Sequence, residues 1–478
     1  MQQLIEDVIL PASVNLVQNV RMQNLKQRCR LILAGFCLLL TACSQQLPPI
    51  SVGKLVVVVP DVSQGAEAEF ERELSTLFGE HLKAAIEFVS PPPDKIFEKL
   101  YLHHAHLAAA SLRLDVNNAK LQFGPIYQTL REQIICNHDN VYPKKIADLM
   151  GIKIATVAGS TQEDALIEAR EKSPWLQWES RRTLTVQTLL QEVASGAVDC
   201  TVGNPLQLAD ARNYYSNLVA AFDIGTPSKL AWAFPADADP QLLKEAQAFF
   251  ELIKQNGVLN RILDRYYGHT GRLLAPDAAT FITKVRKVLP EYRNLFKDAA
   301  RLTGFDWRLL AALAYQESQW DPLATSFTNV RGMMMLTGET ADQMKLKNRF
   351  DPRENILAGA KYLALLRDQL PDRIPEPDRT WMALASYNQG YGHLEDARIL
   401  SERAGLSPDS WVSIKKWMPQ MNQPGYYQTL KHGYARGGEA VIMVECIRSY
   451  HDMLKRLAPE PLAGDSEEVS YHLLEPKQ

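Results

Sequence analysis

Between residues 54 and 268 the apolar positions come as short continuous runs set between amphipathic stretches. Leu55-Val56-Val57-Val58-Val59, closed by Pro60, reads as a buried strand. The helix-like Glu67–Phe78 precedes Ile86–Val89, and Asp94–Leu102 precedes Leu107–Ala110. Ile146–Met150 likewise precedes Lys153–Val157, and Gln187–Ala194 precedes Ala197–Val202. The alternation predicts βαβ units, with a mostly parallel sheet covered by helices on both faces. Past Tyr267–Pro276, which holds two glycines and a proline, the pattern changes to helical periodicity. Phe281–Thr303, Asp306–Gln319, Ile356–Gln369, Thr380–Asn388 and Glu439–Leu457 carry it, which predicts an all-α second domain. The chain is therefore multidomain: an α/β domain over 54–268, a linker over 269–284, a helical domain over 285–457 and a tail over 458–478.

At 478 residues a single core is excluded, since domains run to roughly 100–200 residues each. A net charge of −3 argues against a sequence-independent nucleic-acid binder, so no nucleic-acid partner is expected. Six scattered cysteines with no C-x-x-C pair exclude a disulfide scaffold or a zinc module. The apolar run Leu31–Leu40 is too short to span a bilayer. With Arg21, Lys26, Arg28 and Arg30 before it and Thr41-Ala42-Cys43 after it, the run reads as an export signal over 1–42. Glu6 and Asp7 do not suit a signal's start, which makes Met22 an alternative initiator.

Leu40-Thr41-Ala42-Cys43 resembles the bacterial lipobox, which implies cleavage before Cys43, lipidation of its sulfur and a tether over 43–53. In the lipoprotein-sorting pattern an Asp after the cysteine retains the protein at the inner membrane. Ser44 stands there, so the expectation is the periplasmic face of the outer membrane, with the lipid bilayer as a partner.

In the second domain, Leu310, Leu313, Ala314 and Glu317 follow i, i+3, i+4, i+7 on the helix that Asp306 caps. The carboxyl thus continues an apolar stripe in the last helical turn. Desolvation and the helix dipole both raise its pKa, as a proton-donating acid requires. A Glu buried in a structural ion pair fits that pattern equally well.

Glu317-Ser318, then Arg331-Gly332-Met333-Met334-Met335-Leu336-Thr337, Asn355 within DPRENILAGAKYL, Ser386-Tyr387-Asn388-Gln389-Gly390, and Tyr427–Gly438 occur in that order. The set resembles the lytic transglycosylases of goose-lysozyme-like fold, over about residues 290–450. That resemblance implies cleavage of the MurNAc-β-1,4-GlcNAc bond of peptidoglycan with 1,6-anhydromuramic ends. It makes Glu317 the sole catalytic acid/base and Ser318 a donor near the reacting sugar. Gly332, Met333 and Met335 would line the groove, Tyr387 and Asn388 would bind N-acetylated sugars, and Tyr434 would sit beside Glu317. Met335 stands where the wider superfamily more often has Gln, and Ser386 where Ala is commoner. No metal or organic cofactor is implied. The rivals are a lysozyme-type hydrolase, needing a second carboxylate for which Asp321, Glu339 and Asp342 match no motif, and a non-catalytic glycan-binding lipoprotein.

The first domain resembles the two-lobed periplasmic solute-binding proteins of the polar-amino-acid type. The segments 123–137, 144–161, 189–205 and 243–268 carry that likeness. Asn117 and Asn204 stand where that family places its charged ligand anchors, which implies a different ligand, such as a muropeptide, or none. Cys136 and Cys200 both fall in the second lobe, where an oxidising periplasm allows them to pair. His103, His104 and His106 lie at a helix-to-strand turn and read as a solvated loop rather than a metal site.

Overall fold

The computed structural model describes residues 53–61, 65–182, 185–270, 273 and 275–459. The leader, Cys43 and nearly all of the tail lie outside them.

The α/β region holds two five-stranded sheets. The first runs β2 (Ala85–Val89), β1 (Lys54–Val58), β3 (Leu107–Ala108), β10 (Ala233–Pro235), β4 (Leu121–Phe123). The second runs β7 (Glu179–Arg181), β6 (Ile154–Val157), β8 (Cys200–Gly203), β5 (Gln128–Asn137), β9 (Leu218–Leu230). Each sheet is the floor of one lobe. Only residues 124–127 and 231–232 run between the sheets, and they pair with each other: Gly124 N–H donates to Trp232 O at 2.9 Å and Tyr127 N–H to Leu230 O at 3.1 Å. A two-stranded hinge between two lobes is the result.

The sheets are mixed, not mostly parallel. β10 runs antiparallel to β3 and β4, and β5 antiparallel to β8 and β9, because these strands enter from the other lobe or from a turn rather than through a crossover helix. Cys136 and Cys200 face each other in the β5–β8 register and form a disulfide. The first lobe's core is aromatic, with Phe70, Phe78, Trp232, Phe234 and Phe250 fully buried.

The helical region begins earlier than expected. The stretch read as one helix over Phe281–Thr303 is two, Ala275–Lys287 and Leu289–Thr303, because Pro290 cannot continue the preceding ladder. The first buries Ala278 and Phe281 in the helical core, so much of the expected linker belongs to that domain. Against the central helix Trp307–Ser318 pack Leu289–Thr303 and the terminal helix Gly437–Leu457, and Pro352–Gln369 and Asp378–Gln389 pack in turn on these and on each other. Residues Leu309–Ala314 of the central helix are all buried.

The two regions meet through a buried ionic cluster. Arg448, on the terminal helix, donates to Asp264 Oδ2 at 3.1 Å and to the carbonyl of Asp264 at 2.6 Å. It also reaches Glu445 Oε2 at 2.9 Å, while Lys415 pairs with Asp264. Asp264 lies on the helix Val258–Tyr267, which packs in the first lobe's core. That lobe is therefore fixed to the helical domain.

Candidate active site

Asp306 starts the central helix by accepting the Arg308 N–H at 2.9 Å, and Gln319 ends it at φ 54°. Glu317 is in the last turn and half-buried. Burial alone pushes its carboxyl up from 4.5 to about 8, so it holds a proton at neutral pH.

Beside it, residues 331–336 form a tight loop. Arg331 pairs in bridge fashion with Thr325 and Leu336, and Gly332 N–H donates to Ala324 O at 2.9 Å. Gly332 has φ 84°, and a Cβ there would overlap the Arg349 carbonyl and the Asn355 amide. Three side chains pin the loop. The Ser318 hydroxyl lies 2.7 Å from Met333 O and 3.1 Å from Ala314 O. The Tyr387 hydroxyl donates to Met334 O at 2.7 Å. Asn355, fully buried, accepts Met334 N–H at 2.7 Å and donates to Arg349 O at 2.9 Å.

Ser318 has one hydroxyl proton, and both of its oxygen partners are backbone carbonyls. In this structure it holds the loop to the helix rather than presenting a free donor to a sugar. Met333 is buried, and Met335 is half-buried at φ 47°. Burial first, and then the charge of nearby Glu317, push the Tyr387 phenol far above its ordinary value. Tyr362 packs on Tyr387 at 5.5 Å. Asn388 is exposed and accepts from Gln389 at 2.9 Å. Tyr434 is 56% exposed and meets Tyr427 edge-on at 5.8 Å.

Ser318, Gly332, Met333 and Tyr387 thus belong to one hydrogen-bonded assembly, with Glu317 next to Ser318 on the helix, while Tyr434 packs on Tyr427. Asn355 was visible only as part of a motif, because a buried Asn that joins three backbone groups has no periodic signature. The rival carboxylates Asp321, Glu339 and Asp342 are all exposed, and Asp321 accepts Leu323 N–H in a turn.

A cavity of about 320 Å³ lies elsewhere, between the two lobes and the helical domain. Glu67, Glu132, Gln162 and Gln207 line it from the lobes, and Arg448, His451 and Arg456 from the terminal helix. Burial pushes the Glu132 carboxyl up to about 7. Asn204 reaches this cavity but spends its carboxamide oxygen capping a helix, on Leu206 and Gln207 N–H, each at 3.0 Å. Asn117 is exposed and does not line the cavity. His106 accepts Val56 N–H through Nδ1 at 2.9 Å, and His103 faces Asp237 at 3.4 Å. Among the described residues no group of three or more His, Cys, Asp or Glu is placed to hold a metal, and no helix is long and apolar enough to cross a membrane.

The Transglycosylase SLT domain family matches residues 294–405. The two-lobed region resembles a mutant of ArgBP from T. maritima at 16% identity, covering 46% of this chain and 96% of that one, with a TM-score of 0.41. The chain is 46% identical over 421 residues to a membrane-bound lytic murein transglycosylase F of Nitrosospira multiformis, covering 86% of this chain and 88% of the relative. It is 45% identical over 368 residues to the protein of that name from Methylobacillus flagellatus, covering 77% and 78%. For the Thiobacillus denitrificans protein of that name the identity is 40% over 433 residues, covering 88% and 92%. At these identities over most of both lengths, the chain belongs to the membrane-bound lytic murein transglycosylase F family.

Proposed function

We propose that Glu317 is the single acid/base of a peptidoglycan lytic transglycosylase. The protonated carboxyl gives its proton to the oxygen between MurNAc C1 and GlcNAc C4, the C1–O bond breaks, and GlcNAc leaves as the alcohol. The neighbouring 2-acetamido oxygen supports the electron-poor C1. The muramyl C6 hydroxyl then bonds to C1, and the Glu317 carboxylate takes that hydroxyl's proton, which closes the anhydro ring and restores the acid. The observation that carries this reading is the place of Glu317, in the last turn of the buried helix Trp307–Ser318 next to the residue that pins the Gly332–Met335 loop, where burial raises its carboxyl's pKa. The exposure of Asp321, Glu339 and Asp342 argues against a hydrolase with a second positioned carboxylate.

Ser318, Tyr387 and Asn355 hold the Gly332–Met335 loop beside the reacting sugar, and Asn388 and Tyr434 contact the glycan. Cleavage in ¹⁸O-labelled water tests the reaction class. Internal transfer leaves the new muramyl end unlabelled, whereas incorporation of label there would mean hydrolysis.

Two further parts of the reading concern the rest of the chain. A muropeptide occupies the cavity of the two-lobed domain, supported by the amides of Gln128, Gln162, Gln187, Asn204 and Gln207 in its wall; calorimetry in which free amino acids bind and muropeptides do not would refute this. Lipid on Cys43 holds the chain at the outer membrane, and a Cys43→Ala chain that fractionates with that membrane like the parent would refute it.

A further inference from the structure

The terminal helix touches three things at once. Arg448, Ser449, His451, Asp452, Lys455 and Arg456 form most of the helical domain's wall of the cavity, beside Pro377 and Trp381. Toward the lobes, Asp452 bonds His269 at 2.6 Å and Arg456 bonds Asp210 at 2.7 Å. Toward the catalytic helix, Tyr450 meets Tyr315 edge-on at 4.8 Å, and His451 Nε2 lies 3.1 Å from Asp306 Oδ2.

Asp306 is the N-cap of the helix that carries Glu317. Its carboxylate is shared: Oδ1 caps Arg308 N–H, and both oxygens take the Arg308 guanidinium at 2.9–3.1 Å. His451 is the other side chain on that carboxylate, and it reaches Asp306 from the cavity wall. A 12-residue helix is a rigid rod of about 18 Å at roughly 1.5 Å per residue, so a shift at its cap is carried to its last turn.

We propose that His451 is a positioning residue for catalysis, linking the cavity between the lobes to the seat of Glu317 through the N-cap Asp306. The proposal rests on the reading of Glu317 as the acid/base and adds a route by which the state of the cavity reaches it. A packed helix pair has discrete arrangements, so a contact made at the wall selects one of them. The two lobes are held unequally. The first is locked to the helical domain by the buried Arg448–Asp264–Lys415 cluster, while from the second the partly exposed Asp210 reaches the wall through Arg456. Movement of the second lobe about the hinge therefore pulls on Arg456, about one and a half turns beyond His451 on the same rigid helix.

Steady-state kinetics of the full chain on a soluble glycan, with thermal denaturation of each variant, test this. His451→Leu is expected to lower kcat about tenfold to a hundredfold with KM little changed, the size of loss that a misplacement of about 1 Å produces. His451→Gln, which keeps an N–H able to reach Asp306, is expected to restore most of that loss. If His451→Leu does not fold, Asp306→Ser serves, because serine caps the helix but is too short to meet His451. It is expected to show the same fall in kcat, and where the double variant folds His451→Leu adds nothing to it. Parental kcat in Asp306→Ser or in His451→Leu, or a loss that His451→Gln does not restore, would overturn the proposal. A parent that yields reducing ends instead of anhydro ends would overturn the function reading and leave these comparisons standing.

Discussion

The hydroxyl of Tyr387 lies 2.7 Å from the carbonyl oxygen of Met334, which ties the helix Asp378–Gln389 to the loop beside Glu317. Met334 is held from its other side as well, since Asn355 accepts its N–H at 2.7 Å. Met334 is gripped at both of its backbone polar atoms, and with it the loop that Ser318 ties to the helix of Glu317. This loop is short of regular structure, so side chains supply the bonds that a sheet or helix would otherwise give.

Tyr387→Phe removes one of these grips and leaves the carbonyl without its donor. A buried group left unpaired costs about 1–3 kcal/mol. The variant is expected to melt lower than the parent and to lose kcat by more than its folded fraction explains. Unchanged melting together with unchanged kcat would mean that the bond does not place the loop.

Gly332→Ala probes the same loop from the backbone. The left-handed φ of 84° and the overlap with Arg349 and Asn355 leave no room for a methyl group. Strain at a position of this kind costs about 1–3 kcal/mol before the overlap is added. Activity on peptidoglycan should fall sharply while the two-lobed domain keeps its own melting transition, followed by calorimetric scanning. Full activity would show that the loop's placement is irrelevant to the reaction.

The raised pKa of Glu317 has a thermodynamic sign. Between 4.5, the ordinary carboxylate value, and about 8 the folded chain holds a proton that the unfolded chain has released. Stability therefore falls as pH rises through that window. Glu317→Gln removes the slope. The variant should match the parent near pH 4.5 and melt above it at pH 7, with the gap widening up to about pH 8. A gap that does not change with pH would mean that the carboxyl titrates normally.

Much of this was legible beforehand, and the gaps have physical causes. The run Leu55–Val59 declared a buried strand because both faces of β1 are covered, and the stripe ending at Glu317 declared an acid facing apolar surroundings. β5 and β9 were not legible as strands: β5 leaves the hinge on alternating half-buried and exposed positions, and β9 returns to it through positions most of which are half-buried or exposed. The break at Leu289-Pro290 was lost inside a continuous helical period. The order of motifs pointed to Ser318 and Tyr387, but their task of holding Met333 and Met334 depends on distances across the fold. The link from His451 to Asp306 spans 145 residues and leaves no trace in either local pattern.

The central claim is that one carboxyl, Glu317, serves in turn as acid and base while the substrate supplies the nucleophile. Mass analysis of the fragments released from purified sacculi by the parent and by Glu317→Gln tests it most directly. The account predicts 1,6-anhydromuramic ends from the parent and a release about 10²–10⁴-fold slower from the folded variant, which still binds sacculi. Reducing muramic ends from the parent, or more than about a tenth of the parental rate in Glu317→Gln, would contradict it.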